Sequence, residues 1–412
     1  MVLLLDPPET DKAPNSVCGV QAPNPEPTAM KIIQYSQNVL GVGHLFRSLE
    51  IARAFSAHQV ILVTGGPPVE TELPKHVREF CLPILQMDDA FKGLLTTEKN
   101  LTLDQVKETR QKKLLALFEE ERPDLFLVEL FPFGRRMFRF ELDPVVRALR
   151  GKGAAPCAII CSVRDILVEK KDHVRHEAKV VKTLNRYFDR VLVHADPDLV
   201  EIRETFGPFD DISIPVEYTG YIAPQSSAAA GQRIRKQMGM DDSENLIVAS
   251  AGGGNVGAPL LAAVIRAFSR LEGGNCRLQV FSGPFMDPRD FDDLKTMAPV
   301  KAQVDRFTAD FGSYLAAADL SVSMGGYNTT MNILAARVPA LLWPFSRNRE
   351  QGLRARRLAD RGLLTVLQDA DLQPDRLAAL MEHKLTQPER PDGRIDLDGA
   401  ANTARCIEAF YG

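Results

Sequence analysis

Two glycine-rich turns, one near each end, constrain this 412-residue chain more than any other feature. The first follows the apolar run Ile32-Ile33-Gln34-Tyr35-Ser36 and reads Gly41-Val42-Gly43-His44. A helical pattern through Leu45, Leu49, Ala52 and Phe55 comes after it. The second follows Leu246-Ile247-Val248-Ala249-Ser250 and reads Gly252-Gly253-Gly254-Asn255-Val256-Gly257, ahead of Pro259 and an apolar helix to Leu271. An apolar strand, a glycine turn and a helix, in that order, present backbone N–H groups and a helix N-terminus to an anion. Glycine permits the positive φ and the close backbone approach that this requires. Two such units predict two α/β domains facing one another across a cleft.

The rest of the chain fits that division. Strands are expected at 31–35, 59–64, 125–129, 158–162, 190–194 and 216–222, and again at 246–250, 277–281, 320–323 and 340–343. Helices are expected between them, including 46–57, 103–121, 143–151, 177–187, 198–205, 232–238, 259–271, 311–317, 329–336 and 351–360. Strands alternating with helices at this pitch make parallel sheets covered on both faces. The length suits two domains of ordinary size. Residues 1–29, rich in proline and polar residues, read as a disordered tail. Residues 30–222 read as the first domain and 223–240 as a linker, centred on Pro224-Gln225-Ser226-Ser227-Ala228-Ala229-Ala230-Gly231. Residues 241–412 read as the second, whose last helix, 400–410, packs back on the first.

Composition narrows the function. A net charge of −4 and a pI near 6.0 give no case for nucleic acid as a partner. The six cysteines form no zinc-like spacing, and Cys157 and Cys161 read as small buried thiols. The start Val2-Leu3-Leu4-Leu5 lacks the length and basic leader of a signal peptide, and no run reaches the ~18 apolar residues of a membrane span. The expected setting is cytoplasmic and reducing.

Several positions have the chemistry of a site. Leu320-Ser321-Val322-Ser323-Met324, then Gly325-Gly326, then Tyr327-Asn328-Thr329-Thr330 is another strand, turn and helix start, with Asn328 and Thr329 as capping types. Glu350 and Gln351 place a carboxylate beside an amide after a strand, a pair suited to vicinal hydroxyls, although a solvated loop has the same composition. His44 is the leading general-base candidate, since an unperturbed imidazole titrates near pH 6.5. Glu129, at a strand end, is the second candidate; its structural alternative is a salt bridge to Arg135 or Arg164. Arg47 either meets a phosphate or braces the loop. Asp196-Pro197-Asp198 and Asp369-Ala370-Asp371 mimic a metal-binding pattern, but helix capping accounts for them and no metal is expected. Phe131 to Phe140 mixes aromatics with arginines: a core-facing set, or a peripheral membrane contact.

These residues carry a resemblance. The stretch from Asp319 through Gly325-Gly326-Tyr327-Asn328-Thr329-Thr330, Val338-Pro339, Pro344-Phe345 and Arg349-Glu350-Gln351 to Arg354-Ala355 and Leu358 resembles the C-terminal domain of glycosyltransferase family 28. That group includes the enzyme that adds N-acetylglucosamine to the peptidoglycan lipid precursor. Gly41-Val42-Gly43-His44, Val128-Glu129-Leu130-Phe131-Pro132-Phe133-Gly134-Arg135-Arg136 and Ser162-Val163-Arg164-Asp165-Ile166-Leu167 resemble a set of bacterial predicted glycosyltransferases. The resemblance implies a GT-B fold, two Rossmann-like domains about a cleft, and a UDP-sugar donor in the second domain.

It also implies roles. Gly252, Gly253, Gly254, Asn255 and Gly257, with Gly326, Tyr327, Asn328 and Thr329, would hold the donor diphosphate. Phe307 would cover the base, unless it is a plain core residue. Glu350 and Gln351 would hold the sugar, and Gly41, Gly43 and Arg47 would form the acceptor-side loop. Asn332 stands where the family carries a ribose-binding glutamate, which puts nucleoside binding in question. The expected activity is metal-independent, inverting transfer of a hexose from a nucleotide sugar to a hydroxyl acceptor, such as a lipid-linked glycan, with no cofactor. Two alternatives are a nucleotide-sugar hydrolase, because the Gly-x-Gly-His-x-x-Arg loop is similar to that of the UDP-sugar hydrolase of pseudaminic acid synthesis, and a non-catalytic sugar-nucleotide-binding subunit.

Overall fold

A computed structural model describes residues 29–38, 43–69, 71–87, 93–98, 100–167, 173–225, 227–254, 256–271, 275–388 and 394–411. The expected tail up to residue 28, Gly41 and Asn255 lie outside these. The first half runs β1 (Lys31–Tyr35), α1 (Gly43–Ala54), β2 (Gln59–Thr64), β3 (Val77–Cys81), a short antiparallel pair β4 (Leu85–Met87) and β5 (Leu94–Thr96), α2 (Leu103–Glu121), β6 (Leu125–Glu129), α3 (Arg139–Ala148), β7 (Ala158–Arg164), α4 (His173–Tyr187), β8 (Arg190–His194) and β9 (Val216–Tyr218). The second runs α5 (Ala228–Gln237), β10 (Asn245–Ser250), α6 (Ala258–Phe268), β11 (Cys276–Phe281), α7 (Pro288–Met297), β12 (Ala302–Asp305), α8 (Phe311–Ala317), β13 (Leu320–Met324), α9 (Tyr327–Ala336), β14 (Ala340–Trp343), α10 (Arg349–Asp360), β15 (Thr365–Val366), α11 (Pro374–Thr386) and α12 (Gly399–Tyr411).

Two parallel sheets result. The first has seven strands in the order β3-β2-β1-β6-β7-β8-β9, the second six in the order β12-β11-β10-β13-β14-β15. Side chains of a strand alternate between its faces. Ile33, Tyr35, Ile61, Val63, Phe126 and Val128 accordingly pack in one apolar cluster, and Ile32, Val60, Leu62, Leu125 and Leu127 in another on the opposite face. The first of these continues through Tyr221 to Leu246, Val248 and Met331, so one core runs from one half into the other.

In each sheet the strand order reverses beside the first strand. In the first sheet that point lies between β1 and β6, and in the second between β10 and β13. Chains leave such strands on opposite sides, and a crevice opens at their carboxyl ends. The first crevice is bordered by α1 and the end of β6, the second by residues 251–254 and the starts of α6 and α9.

Some expected elements differ. The 198–205 helix is only a 3₁₀ turn at Ile202–Glu204, because Asp196 accepts from the Asp198 N–H and fixes a tight turn there. The strand expected to reach 222 stops at Tyr218; Gly220 then takes φ +82°, and Ile222 forms a bridge with Asp398. The small residues 228–231 begin α5. A Cβ on Gly231 would lie 2.6 Å from the Ala316 carbonyl oxygen, so glycine there lets α5 lie directly on α8. α12 reaches across to α1's half: Glu408 meets His58 at 3.2 Å, and the Tyr411 hydroxyl donates to the Asp124 carbonyl. Among the described residues no helix is long and apolar enough to cross a membrane.

Candidate active site

In the first crevice, Glu129 is the centre of a charged group. Its Oε1 accepts from His44 Nδ1 at 2.6 Å and from Arg47 Nη2 at 2.5 Å; its Oε2 accepts from Arg135 Nη2 at 2.5 Å and Nε at 3.0 Å. The two arginine side chains are almost fully buried, and His44 retains 21% exposure. Charge-assisted bonds to Arg135, His44 and Arg47 hold the Glu129 carboxyl well below its usual range despite burial. An ionised carboxylate only accepts, so Nδ1 of His44 carries the proton and Nε2 keeps its lone pair. Burial, seconded by Arg135 and Arg47, lowers the His44 pKa to about 4 against the pull of Glu129. His44 is therefore neutral at physiological pH, with Nε2 free to accept a proton, although burial makes it a weaker base than a free imidazole. Glu129, with both oxygens engaged, is its orienting partner, which removes it as a second free base. Arg164 is not among its partners, and Arg47 braces the loop.

In the second crevice the glycine turn is shaped by close approach. Gly252 and Gly254 take φ +65° and +97°, and a Cβ on Gly254 would lie 2.6 Å from the Ser282 carbonyl oxygen. The Gly253 carbonyl accepts from the Phe285 N–H at 3.0 Å, and Ser250 Oγ accepts from the Gly252 N–H. A Cβ on Gly257 would lie 2.1 Å from that of Ala251, so this glycine serves helix–strand packing. Neither α6, capped by Gly257, nor α9, capped by Gly326, has a side-chain cap. The N–H groups of their first turns remain without intrahelical partners. A Cβ on Gly326 would meet open space, and one on Gly252 would lie 3.4 Å from Thr329 Oγ1, so the turn and α9 are neighbours.

The expected capping of α9 by Asn328 does not occur. Its Nδ2 instead donates to the Gly43 carbonyl at 3.0 Å, in the other half. Tyr327 is buried, and its hydroxyl donates to the His194 carbonyl and accepts from the Ile222 N–H, both at 3.3 Å. Its side chain is thus a strut. Asn332 Nδ2 donates back along its own helix to the Asn328 carbonyl at 2.7 Å. Phe307 is 45% exposed, which overturns the plain-core alternative, and its ring lies 6.3 Å from that of Phe46 across the gap. Gln351 accepts from the Phe345 N–H through Oε1. Glu350 is buried, with Oε1 on Arg354 Nη2 at 2.7 Å and Oε2 on Arg164 Nη2 at 2.6 Å. Its carboxylate is filled by arginines in this structure, so it does not stand open to a sugar.

The two acidic mimics are turns. Asp371 accepts from the Gln368 N–H, and Asp369 from the Trp343 indole. Among the described residues no group of three or more His, Cys, Asp or Glu is placed to hold a metal. Phe131, Phe133 and Phe138 are buried, so the aromatics of that stretch face the core and not a bilayer. The sequence reading missed the buried group of His194 with Ser162 Oγ at 2.6 Å and Thr219 Oγ1 at 2.8 Å. It also missed the partners of Arg354, whose spacing of four from Glu350 was the available signal.

Comparison with known proteins bears on the fold and the family. Residues 251–404 match the family model "Glycosyltransferase family 28 C-terminal domain". The structure aligns with the calicheamicin glycosyltransferase CalG4 at a TM-score of 0.55 and 15% identity, over 93% of this chain and 95% of that one. The protein has a GT-B fold with a family 28 C-terminal domain. This GT-B chain is also 30% identical, over 172 residues, to the UDP-N-acetylglucosamine–N-acetylmuramyl-(pentapeptide) pyrophosphoryl-undecaprenol N-acetylglucosamine transferase of Carboxydothermus hydrogenoformans. That match covers 40% of this chain and 45% of the relative, less than half of its length. An uncharacterised glycosyltransferase of Methanopyrus kandleri is 23% identical over 62% of this chain and 72% of its own. The fold and family expected from the motifs are borne out.

Proposed function

We propose that this GT-B protein is an inverting glycosyltransferase that moves a hexose from a UDP-linked donor to a hydroxyl acceptor in the cytoplasm. The observation that carries the reading is the meeting of the two crevices. A neutral histidine oriented by a buried carboxylate lies in the half whose α1 start is bonded to the uncapped start of α9. In the proposed reaction His44 Nε2 takes the acceptor's hydroxyl proton as its oxygen attacks the anomeric carbon from the face opposite the phosphate. The bond from that carbon to the diphosphate oxygen breaks, and UDP leaves with the electron pair. The charge that develops on it is met by the backbone N–H of Gly253 and by those of Tyr327, Asn328 and Thr329, while the Gly252 and Gly254 N–H groups are bonded within the turn and shape it. These donors require neither metal nor cofactor. Phe307 covers the base, and Asn332 approaches the ribose. The relative from Carboxydothermus, named for a UDP-sugar donor and a pyrophosphoryl-undecaprenol acceptor, favours a lipid-linked glycan as acceptor.

Release of UDP from candidate UDP-sugars tests this, measured with and without lipid-linked and soluble acceptors. Acceptor-dependent release that His44→Ala abolishes supports transfer. Release independent of acceptor would make the protein a hydrolase, and no release with no thermal shift by UDP would make it a non-catalytic subunit.

A further inference from the structure

The helix that carries Glu350 and Gln351 is fastened to the other half along one face. Glu350, Arg354, Arg357 and Arg361 follow one another at helical spacing on and just beyond α10, and all four bond to the first half. Glu350 pairs with Arg164, and Arg354 grips Asp165 with a two-pronged contact, Nε to Oδ2 at 2.6 Å and Nη2 to Oδ1 at 2.9 Å. Arg357 pairs with Glu204 at 2.8 Å, and Arg361 donates to the Asp198 carbonyl. The seam is graded. Asp165 and Arg354 are 0% and 1% exposed, whereas the Arg357 and Glu204 side chains are 45% and 35% exposed. Exposed pairs contribute little, but separating a buried, bonded pair leaves charges without partners. The buried end is therefore the part that resists opening.

That end also reaches the candidate base. The guanidinium of Arg354 lies over the Tyr327 ring at 5.1 Å, and that of Arg47 over the same ring at 5.3 Å. Arg47 in turn bonds Glu129 beside His44. Two consecutive residues at the end of β7, Arg164 and Asp165, thus meet two residues one turn apart on α10 in a neutral chain of four charges. The chain ends one aromatic ring away from the His44 group.

We infer that Arg164, Asp165, Glu350 and Arg354 form a clasp that holds the two halves closed, with Arg164 and Arg354 as positioning residues for the reaction. This rests on the glycosyl-transfer reading for its catalytic consequence but not for the clasp itself. Glu350 then acts through closure and not by reading sugar hydroxyls, and the donor sugar is left to Gln351 and the α9 start.

The test uses the full chain and the variants Arg164→Gln, Glu350→Gln, both together, and Arg164→Lys. Small-angle scattering of the unliganded protein reads closure, and calorimetry with UDP reads the diphosphate site. Each single glutamine variant is expected to enlarge the radius of gyration, the double variant no more than either single one, and Arg164→Lys to stay compact. UDP affinity is expected to stay within about twofold, while kcat/KM with UDP-sugar falls about tenfold in each single glutamine variant, no further in the double, and stays near native in Arg164→Lys. Unchanged scattering in all variants overturns the clasp. So does a turnover defect confined to Glu350→Gln, which would make Glu350 a direct sugar contact. If the native chain binds no UDP, the transfer reading fails, and scattering alone still decides the clasp.

Discussion

Asn328 of α9 donates its side-chain N–H to the carbonyl oxygen of Gly43, the first residue of α1, across 3.0 Å. The helices that leave the two crevices therefore begin in contact. The candidate base His44 on one side and the uncapped start of α9 on the other are brought to the same gap. Each half alone has an ordinary strand–turn–helix unit, and the proposed reactive arrangement lies where the two units meet.

Replacing Glu129 by glutamine is expected to do two things. The amide no longer fixes the proton on His44 Nδ1, so turnover falls by about 10²- to 10⁴-fold with little change in UDP affinity. It also leaves Arg47 and Arg135 buried with no anion, which costs about 3–5 kcal/mol of stability. Steady-state kinetics beside urea denaturation separates the two, and a variant with native turnover would remove Glu129 from the account.

The pH profile follows from the low pKa of His44. Its neutral form persists down to about pH 4, so the acid limb of kcat/KM falls near 4 rather than at the 6.5 of a free imidazole. The same shift bears on stability. Between pH 6.5 and 4 the unfolded chain binds a proton that the folded one refuses, so stability is full above that window and declines as pH falls through it. Buried His194, lowered to about 3, acts in the same direction. An acid limb near 6.5 would contradict the assignment.

Gly254→Ala is expected to lose at least about 1–3 kcal/mol, since alanine must hold φ +97° while its Cβ meets Ser282 and Met286. UDP binding should fall with it, because the turn's N–H groups lose their placement. Thermal melting with and without UDP reads both, and an unshifted melting temperature would show that the turn adapts.

Asn332→Glu supplies the carboxylate that the family resemblance leads one to expect at this place. A carboxylate bonds ribose hydroxyls more strongly than an amide, by roughly 1 kcal/mol or somewhat more, so UDP should bind about five- to tenfold more tightly by calorimetry. Unaltered affinity would mean that α9 does not meet the ribose.

The fold was legible because its signals are local. β1, β2, β6, β8 and β14 have the bounds expected from apolar runs between turn residues, and β10 begins one residue earlier than expected. β3, with Arg78 and Glu79 exposed, and β12, with Gln303 exposed, are edge strands whose outer faces are polar, so they lack such runs. The candidate site was only half legible for a related reason. His44 and the glycine turns announce themselves by type and position. What Glu350, Asn328 and Tyr327 touch depends on residues of the other half, more than a hundred positions away, and no spacing within one segment encodes that.

The central claim is that a sugar nucleotide lodges in the gap between the crevices with its diphosphate against the second half. A crystal structure of the protein with a bound UDP-sugar tests it most directly. The account predicts phosphate oxygens within hydrogen-bond distance of the Gly253 backbone nitrogen and those of the first turn of α9, with the anomeric carbon facing His44. An occupied nucleotide site elsewhere on the molecule, with this gap empty, would contradict it.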